Sequence, residues 1–292
     1  MVPEVPEWIE LSLAPEQTLP TTLGTLALIE DQLGIPASST GLMGFSFGAP
    51  QGLVAAGDPR LIDRIAGVAS FGGYCDLERA VRFLFTGLHE WNGTSARRRP
   101  DPYGRWIVAA NFLLEVPGYS GAEPVRDALL ALAKKAGEQQ IPAWDPVFDP
   151  LKATIKSTLG SDEADLFERF APNSSVSMAS LDQDESERWA EQLTEAGRRV
   201  APLTDPLPRL GRTPNNVQLL HGRGDDLIPF TETLRWSSVL AEQRRGHGQA
   251  APRTTITGLF AHAGEEKGMH PLRTARETVR FLRALSRVLA IP

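Results

Sequence analysis

The chain of 292 residues is 41% hydrophobic and 23% charged, a globular composition that excludes a wholly disordered or collagen-like chain and allows one large domain or two ordinary ones. Its 36 acidic and 30 basic residues leave a net charge of −6, which disfavours generic nucleic-acid binding, and its one cysteine, Cys75, excludes an internal disulfide framework or a Cys-based zinc cluster. No stretch approaches the ~20 apolar residues of a membrane span, and residues 1–10, with Glu4, Glu7 and Glu10 and no basic residue, do not read as a secretory signal, so the sequence predicts a cytoplasmic protein.

Taken in chain order, Trp8–Leu13 alternates Ile9, Leu11 and Leu13 against Glu10 and Ser12 and predicts a short strand. Residues 21–34 place Leu23, Leu26, Ile29 and Leu33 at near-helical spacing, with Gly34 and Pro36 as the stop. Residues 40–45 are short and apolar, bounded by Ser and Gly, and predict a buried strand; residues 50–57 read as helix. A second buried strand is expected over 65–71, ahead of Gly72-Gly73. A third covers 217–220, a helix 230–245, a fourth strand 253–260, and a last helix 271–289 with Pro271 at its start. Strands alternating with helices predict an α/β fold with a mostly parallel sheet.

The residues between the second and third strands break this rhythm. Helical periodicity runs over 76–90, 102–116, 123–139 and 185–198, with Pro-rich linkers over 142–150 and 202–208. Because the strand-loop-helix order resumes afterwards, the segment reads as a helical cap inserted into the α/β domain rather than as a separate helical domain. The expected division is residues 1–75 for the first part of the core, 76–206 for the cap, and 207–292 for the second part of the core.

Gly44-Phe45-Ser46-Phe47-Gly48 matches Gly-x-Ser-x-Gly, a motif that is weak by itself. Here an apolar run enters it and a helix-like run leaves it. A serine on so sharp a strand-to-helix turn projects its hydroxyl clear of the sheet, and the helix N-terminus favours developing negative charge. A serine nucleophile needs a base. Of the histidines His89, His221, His247, His262 and His270, His262 follows the fourth strand directly, where open α/β sheets place reactive groups. His270 lies farther along the same loop and is the second choice. The base in turn needs a carboxylate to fix its tautomer. Asp225 and Asp226, after the third strand, are both candidates, and either could instead cap the following helix.

The order Ser46, Asp225, His262 resembles the α/β-hydrolase fold superfamily, in its form with a helical lid. His221-Gly222-Arg223-Gly224-Asp225 with Ile228-Pro229 is similar to the segment in which that family carries its acid, and the resemblance selects Asp225 over Asp226. It implies an α/β-hydrolase-like sheet with residues 76–206 as the lid, and a serine hydrolase acting on a carboxylic ester or related acyl substrate. Ser46 is then the nucleophile, His262 the base, Asp225 the orienting acid and the backbone N–H of Phe47 one oxyanion donor. No cofactor and no metal are implied, and the partner is a small-molecule acyl substrate.

One departure from the family is large. Only 45 residues precede Ser46, too few for the several strands the family places before its nucleophile, and no His-Gly or Gly-Gly stretch offers a second oxyanion donor. An N-terminally incomplete sheet is therefore expected, with an open edge beside the nucleophile strand that invites self-association. The competing reading is a non-catalytic or truncated hydrolase-like protein with a binding role. Cys75 reads as a small apolar filler and Arg97-Arg98-Arg99 as a solvated loop.

Overall fold

The structure, a computed structural model, describes residues 2–176, 182–259 and 271–291. In chain order the elements are α1 (Pro6–Ile9), α2 (Thr18–Leu33), β1 (Gly41–Phe45), α3 (Gly48–Ala56), β2 (Gly67–Phe71), α4 (Leu77–Thr86), β3 (Leu88–Trp91), β4 (Thr94–Arg97), α5 (Pro102–Phe112), α6 (Glu123–Gln139), α7 (Asp149–Lys156), α8 (Ser161–Phe170), α9 (Gln183–Val200), β5 (Asn216–Gly222), α10 (Phe230–Gly246), β6 (Arg253–Thr257) and α11 (Pro271–Leu289), with short 3₁₀ turns between some of them.

The main sheet has the order β1-β2-β5-β6, and every neighbouring pair in it is parallel. Side chains alternate across it. Val68, Val217 and Leu219 point to one face, where Leu26 of α2, Leu53 and Ala56 of α3, and Trp236 and Leu240 of α10 bury them. Ala69, Phe71 and Leu220 point to the other and meet Ala284 and Val288 of α11. The fold class is therefore mixed α/β with a parallel sheet. No helix among the described residues is long and apolar enough to cross a membrane.

Helices α4 to α9 enclose a core of their own, in which Trp106, Leu113, Leu129 and Phe170 are fully buried. The sequence explains why these helices start and stop. The Asp76 carboxylate caps α4 by accepting from the Arg79 amide at 3.2 Å, and Asp182 caps α9 through the amides of Asp184 and Glu185. Helix α4 ends at Gly87 (φ 70°), where a β-carbon would lie 2.2 Å from the Arg98 carbonyl oxygen.

Several expectations need correcting. Residues 8–13 do not form a strand: Pro6 opens the single turn α1, Leu11 takes φ 62°, and Ile9 is exposed, while Leu11 and Leu13 pack on the helical core from a turn. The predicted helix over 76–90 stops at Thr86, and β3 and β4 follow as an antiparallel hairpin. Helices α7 and α8 lie where no helix was expected. The three arginines are not simply solvated: Arg97 donates to the Gln183 side-chain Oε1, Arg98 to the backbone carbonyls of Arg223 and Gly224, and Arg99 lies over the Trp144 ring.

The expected open edge is present. The strand expected to be buried over 40–45 is not buried: among the described residues β1 is the outer strand of the sheet, and on it Met43 and Phe45 remain 44% and 60% exposed.

A buried carboxylate joins the helical layer to the sheet domain. Glu232, in the first turn of α10, accepts from the amides of Cys75 and Asp76 at 3.1 Å and from Arg79 Nε at 3.0 Å. Burial pushes its carboxyl above the ordinary range, while the Arg79 guanidinium and the Cys75 amide oppose the rise. Glu232→Ala leaves the Arg79 charge short of a partner and two buried amides unmet. It should cost about 3 kcal/mol of unfolding free energy in urea titration. Glu232→Gln, which keeps the acceptor oxygen, should cost less; a loss below about 1 kcal/mol for the alanine variant would show that this carboxylate does not hold the joint.

Candidate active site

Strand β1 runs into α3 through one residue of left-handed backbone. Ser46 has φ 51°, a conformation that costs a non-glycine residue roughly 1–2 kcal/mol. The turn is held at both ends: the Ser46 amide donates to the Phe71 carbonyl on β2 at 2.8 Å, and the Ser46 carbonyl accepts from the Ala49 amide at 3.0 Å. The two motif glycines have different reasons to be there. A β-carbon on Gly44 would lie 2.4 Å from the Gly48 carbonyl oxygen and 2.7 Å from Ala49 Cα, so the turn closes only without one. A β-carbon on Gly48 would meet nothing within 4 Å.

Phe47 is the N-cap of α3, and its side chain packs toward Tyr74 with ring centroids 6.2 Å apart. Its N–H makes no hydrogen bond among the described residues, as the first amides of a helix do not unless a cap or ligand meets them.

Ser46 lines a cavity of about 660 Å³. The walls are mainly apolar and come from several elements, among them Leu11, Phe47, Leu84, Ile107, Val108 and Leu227. The N-terminal segment is fixed over this cavity by a side-chain amide on α5: Asn111 Oδ1 accepts from the Leu13 amide at 2.8 Å, and its Nδ2 donates to the Leu11 carbonyl at 3.0 Å. The Leu11 amide donates to the Trp8 carbonyl and the Ser12 amide to that of Glu7. All three backbone donors of residues 11–13 are thus committed elsewhere, while the Ser12 hydroxyl makes no hydrogen bond among the described residues.

Asp225 sits in the loop after β5. Because the main sheet is parallel, that loop leaves from the same end as the Ser46 turn, and its Leu227 and Ile228 line the same cavity. Asp225 is buried; its Oδ1 accepts from the amides of Leu227 and Ile228 at 2.9 and 2.8 Å, and Oδ2 lies 3.2 Å from His221 Nε2. The loop is thus wound around its own carboxylate. Neither aspartate caps α10, whose N-cap is Pro229 with no side-chain cap bond. Asp226 instead offers its backbone carbonyl to the Asp101 amide at 2.8 Å.

His221 is fully buried with both ring nitrogens engaged. Nε2 lies 2.9 Å from the Ile228 carbonyl, which can only accept, so Nε2 carries the hydrogen and Nδ1 accepts from the Thr233 hydroxyl at 2.6 Å. This histidine shapes the acid loop, a role the motif His-Gly-x-x-Asp signals only by its spacing. His89, on β3, lies between the rings of Phe83 and Phe230, and burial with nearby Arg98 and Arg79 lowers its pKa. His262 and His270 lie outside the described residues. Cys75 is fully buried, and burial pushes its thiol up, which suits a filler. Among the described residues no group of His, Cys, Asp and Glu could hold a metal ion.

No family model matches the chain, and neither does any curated protein. Among solved structures, an acetylester hydrolase from Corynebacterium glutamicum aligns with TM-score 0.38 and 13% identity, covering 92% of this chain and 67% of that one. So loose a likeness decides nothing about activity.

The steric difference between the glycines is measurable. Gly44→Ala must push apart β1 and α3 and should cost about 2 kcal/mol or more in unfolding free energy. Gly48→Ala, at the open first position of a helix, should stay within about 0.5 kcal/mol of the parent protein. Equal effects at both sites would mean that the turn is not packed as described.

Proposed function

We propose that the chain is a serine hydrolase acting on a carboxylic ester or related acyl compound. The observation that carries this reading is Ser46 in left-handed backbone at the head of α3, opening on a mostly apolar cavity that the Asp225 loop also lines. Backbone of this kind is expensive and recurs at functional sites.

In this reading Ser46 Oγ attacks the acyl carbon while His262 takes its proton. The carbonyl oxygen becomes an oxyanion that the Phe47 N–H meets. As the tetrahedral intermediate collapses, the bond to the leaving alkoxide breaks and His262 returns the proton to it. Water, with His262 again as base, attacks the acyl-serine and releases the acid and free Ser46. Asp225 would hold His262 in its working tautomer. Asp225 Oδ1 accepts from the amides of Leu227 and Ile228, and Oδ2 lies 3.2 Å from His221 Nε2, so the carboxylate is held in a fixed orientation. Residues 1–75 and 207–292 would form the hydrolase core and 76–206 its lid, with the apolar walls suiting an acyl chain.

A second reading, a binding protein without catalysis, is favoured by one observation: the amides of residues 11–13 are all committed, so the only second oxyanion donor that segment has left is the Ser12 hydroxyl. With one backbone donor, turnover should be roughly 10²–10³-fold below that of a site with two.

Hydrolysis of short-chain p-nitrophenyl esters decides between them. The parent chain should show slow turnover that Ser46→Ala abolishes and that Asp225→Asn and His262→Ala each lower by on the order of 10³-fold or more. Turnover unchanged in Ser46→Ala would contradict the hydrolase, and no turnover from any form would favour the binding protein.

A further inference from the structure

Among the described residues, β1 leaves one edge of the main sheet without a neighbouring strand. The Thr40 carbonyl and the Ser46 amide both bond to the β2 side, to Ala66 and Phe71. Backbone groups alternate direction along a strand, so Gly41, Met43 and Phe45 turn their N–H and C=O groups to the open side. The same three residues put their side-chain positions on the α11 face of the sheet. A β-carbon on Gly41 would lie 2.6 Å from Ile291 Cγ2, and Phe45 stacks on Phe71, which packs among α11 residues.

We propose that two copies of the chain pair through antiparallel β1 strands, with the two-fold axis at Met43, into one continuous sheet. In that register Gly41, Met43 and Phe45 of one copy lie opposite Phe45, Met43 and Gly41 of the other. Each opposed pair exchanges both of its N–H···O bonds, so every outward group of Gly41, Met43 and Phe45 is met. The side chains fit as well: each Phe45 ring lies beside a residue with no side chain, and Met43 meets Met43.

Helix α11 extends the surface. Arg280 and Arg287 reach β6, bonding the Ile256 carbonyl and the Thr255 hydroxyl, so that flank of the helix faces away from β1. Leu282, Leu285 and Leu289 occupy the opposite flank, on the β1 side. Met43, Phe45, Leu282 and Leu289, exposed by 44%, 60%, 55% and 71%, are the apolar surface that such a pairing would cover. Its area is on the order of 400–500 Å² per copy. A standard interface buries roughly 800 Å² per partner, about two-thirds of it apolar in homodimers, so this surface with the paired main chain is of the right size. The partner strand would also lie along the cavity that Met43 and Phe45 help to line, and would wall its open side. The pairing does not depend on whether Ser46 is catalytic.

A symmetric disulfide tests the register. Opposed residues of a bonded antiparallel pair are about 5.5 Å apart at Cα, within disulfide reach. The native Cys75 is fully buried and does not interfere. Met43→Cys should give a covalent dimer under mild oxidation, whereas Leu33→Cys, on exposed α2 surface outside the pairing, should not. By light scattering the parent chain should have twice the 31.8 kDa chain mass. Met43→Lys, and separately Leu282→Glu with Leu289→Glu, should raise the dimer dissociation constant at least about tenfold with the circular dichroism spectrum unchanged. A chain that stays monomeric across the concentration range would overturn the proposal and leave the edge to an extended segment of another protein. A dimer that neither weakens in these variants nor cross-links through position 43 would place the interface elsewhere and overturn it as well.

Discussion

The turn between β1 and α3 exists only because Gly44 presents no side chain to Gly48 and Ala49. That contact lets the helix start hard against the strand, and the chain can meet so tight a requirement only by putting Ser46 into left-handed backbone. The cost is local, while the support is spread over the fold. Strand β2 receives the Ser46 amide, and α3 returns a bond to the Ser46 carbonyl. The result is a hydroxyl-bearing residue beside a helix N-terminus whose Phe47 amide meets no partner among the described residues, at the end of a parallel sheet where the β5 loop also emerges.

The surroundings of that turn are rigid on one side and bare on the other. On the rigid side, the acid loop is wound on the Asp225 carboxylate, braced by buried His221, and clamped from outside by Arg98 on the Arg223 and Gly224 carbonyls. Glu232 ties the start of α4 to α10, so the helical layer is held to the same framework. On the bare side, no strand lies beyond β1 among the described residues, and segment 11–13 is held at the cavity by its bonds to Asn111 and by Leu11 and Leu13 packing on the helical core. The N-terminal chain therefore covers the site without extending the sheet.

Much of the core was legible because periodicity there follows burial. The fully buried strand β2 stands inside the apolar run expected over 65–71, and α11 begins at Pro271 and ends at Leu289, as its period and its starting proline predict. Gly44 and Ser46 were legible as a motif, but not that only one of its glycines is sterically required. The helical layer was harder. Asn92-Gly93, with φ 49° and 73°, marks the tight turn of the β3–β4 hairpin; the helical pattern preceding it obscured that signal. Helices α7 and α8 are short and lie in a Pro-bordered stretch where periodicity has few turns in which to repeat. In residues 8–13 the alternation of apolar and polar residues misled, because Pro6 sets a helical turn and no neighbouring strand rewards extension. His262 and His270, on which the proposed chemistry turns, fall outside the described residues.

The central claim is that Ser46 is an activated nucleophile, and a covalent label reads this without any choice of substrate. A fluorophosphonate reacts with an activated serine by losing fluoride and leaves a phosphonyl group on Oγ, seen as one fixed mass increment on the intact chain. The account predicts a single increment that maps to the peptide holding Ser46, out of 17 serines in the chain, disappears in Ser46→Ala and forms much more slowly in His262→Ala. A native protein that takes up no label, or one labelled equally in the parent and Ser46→Ala forms, would contradict it.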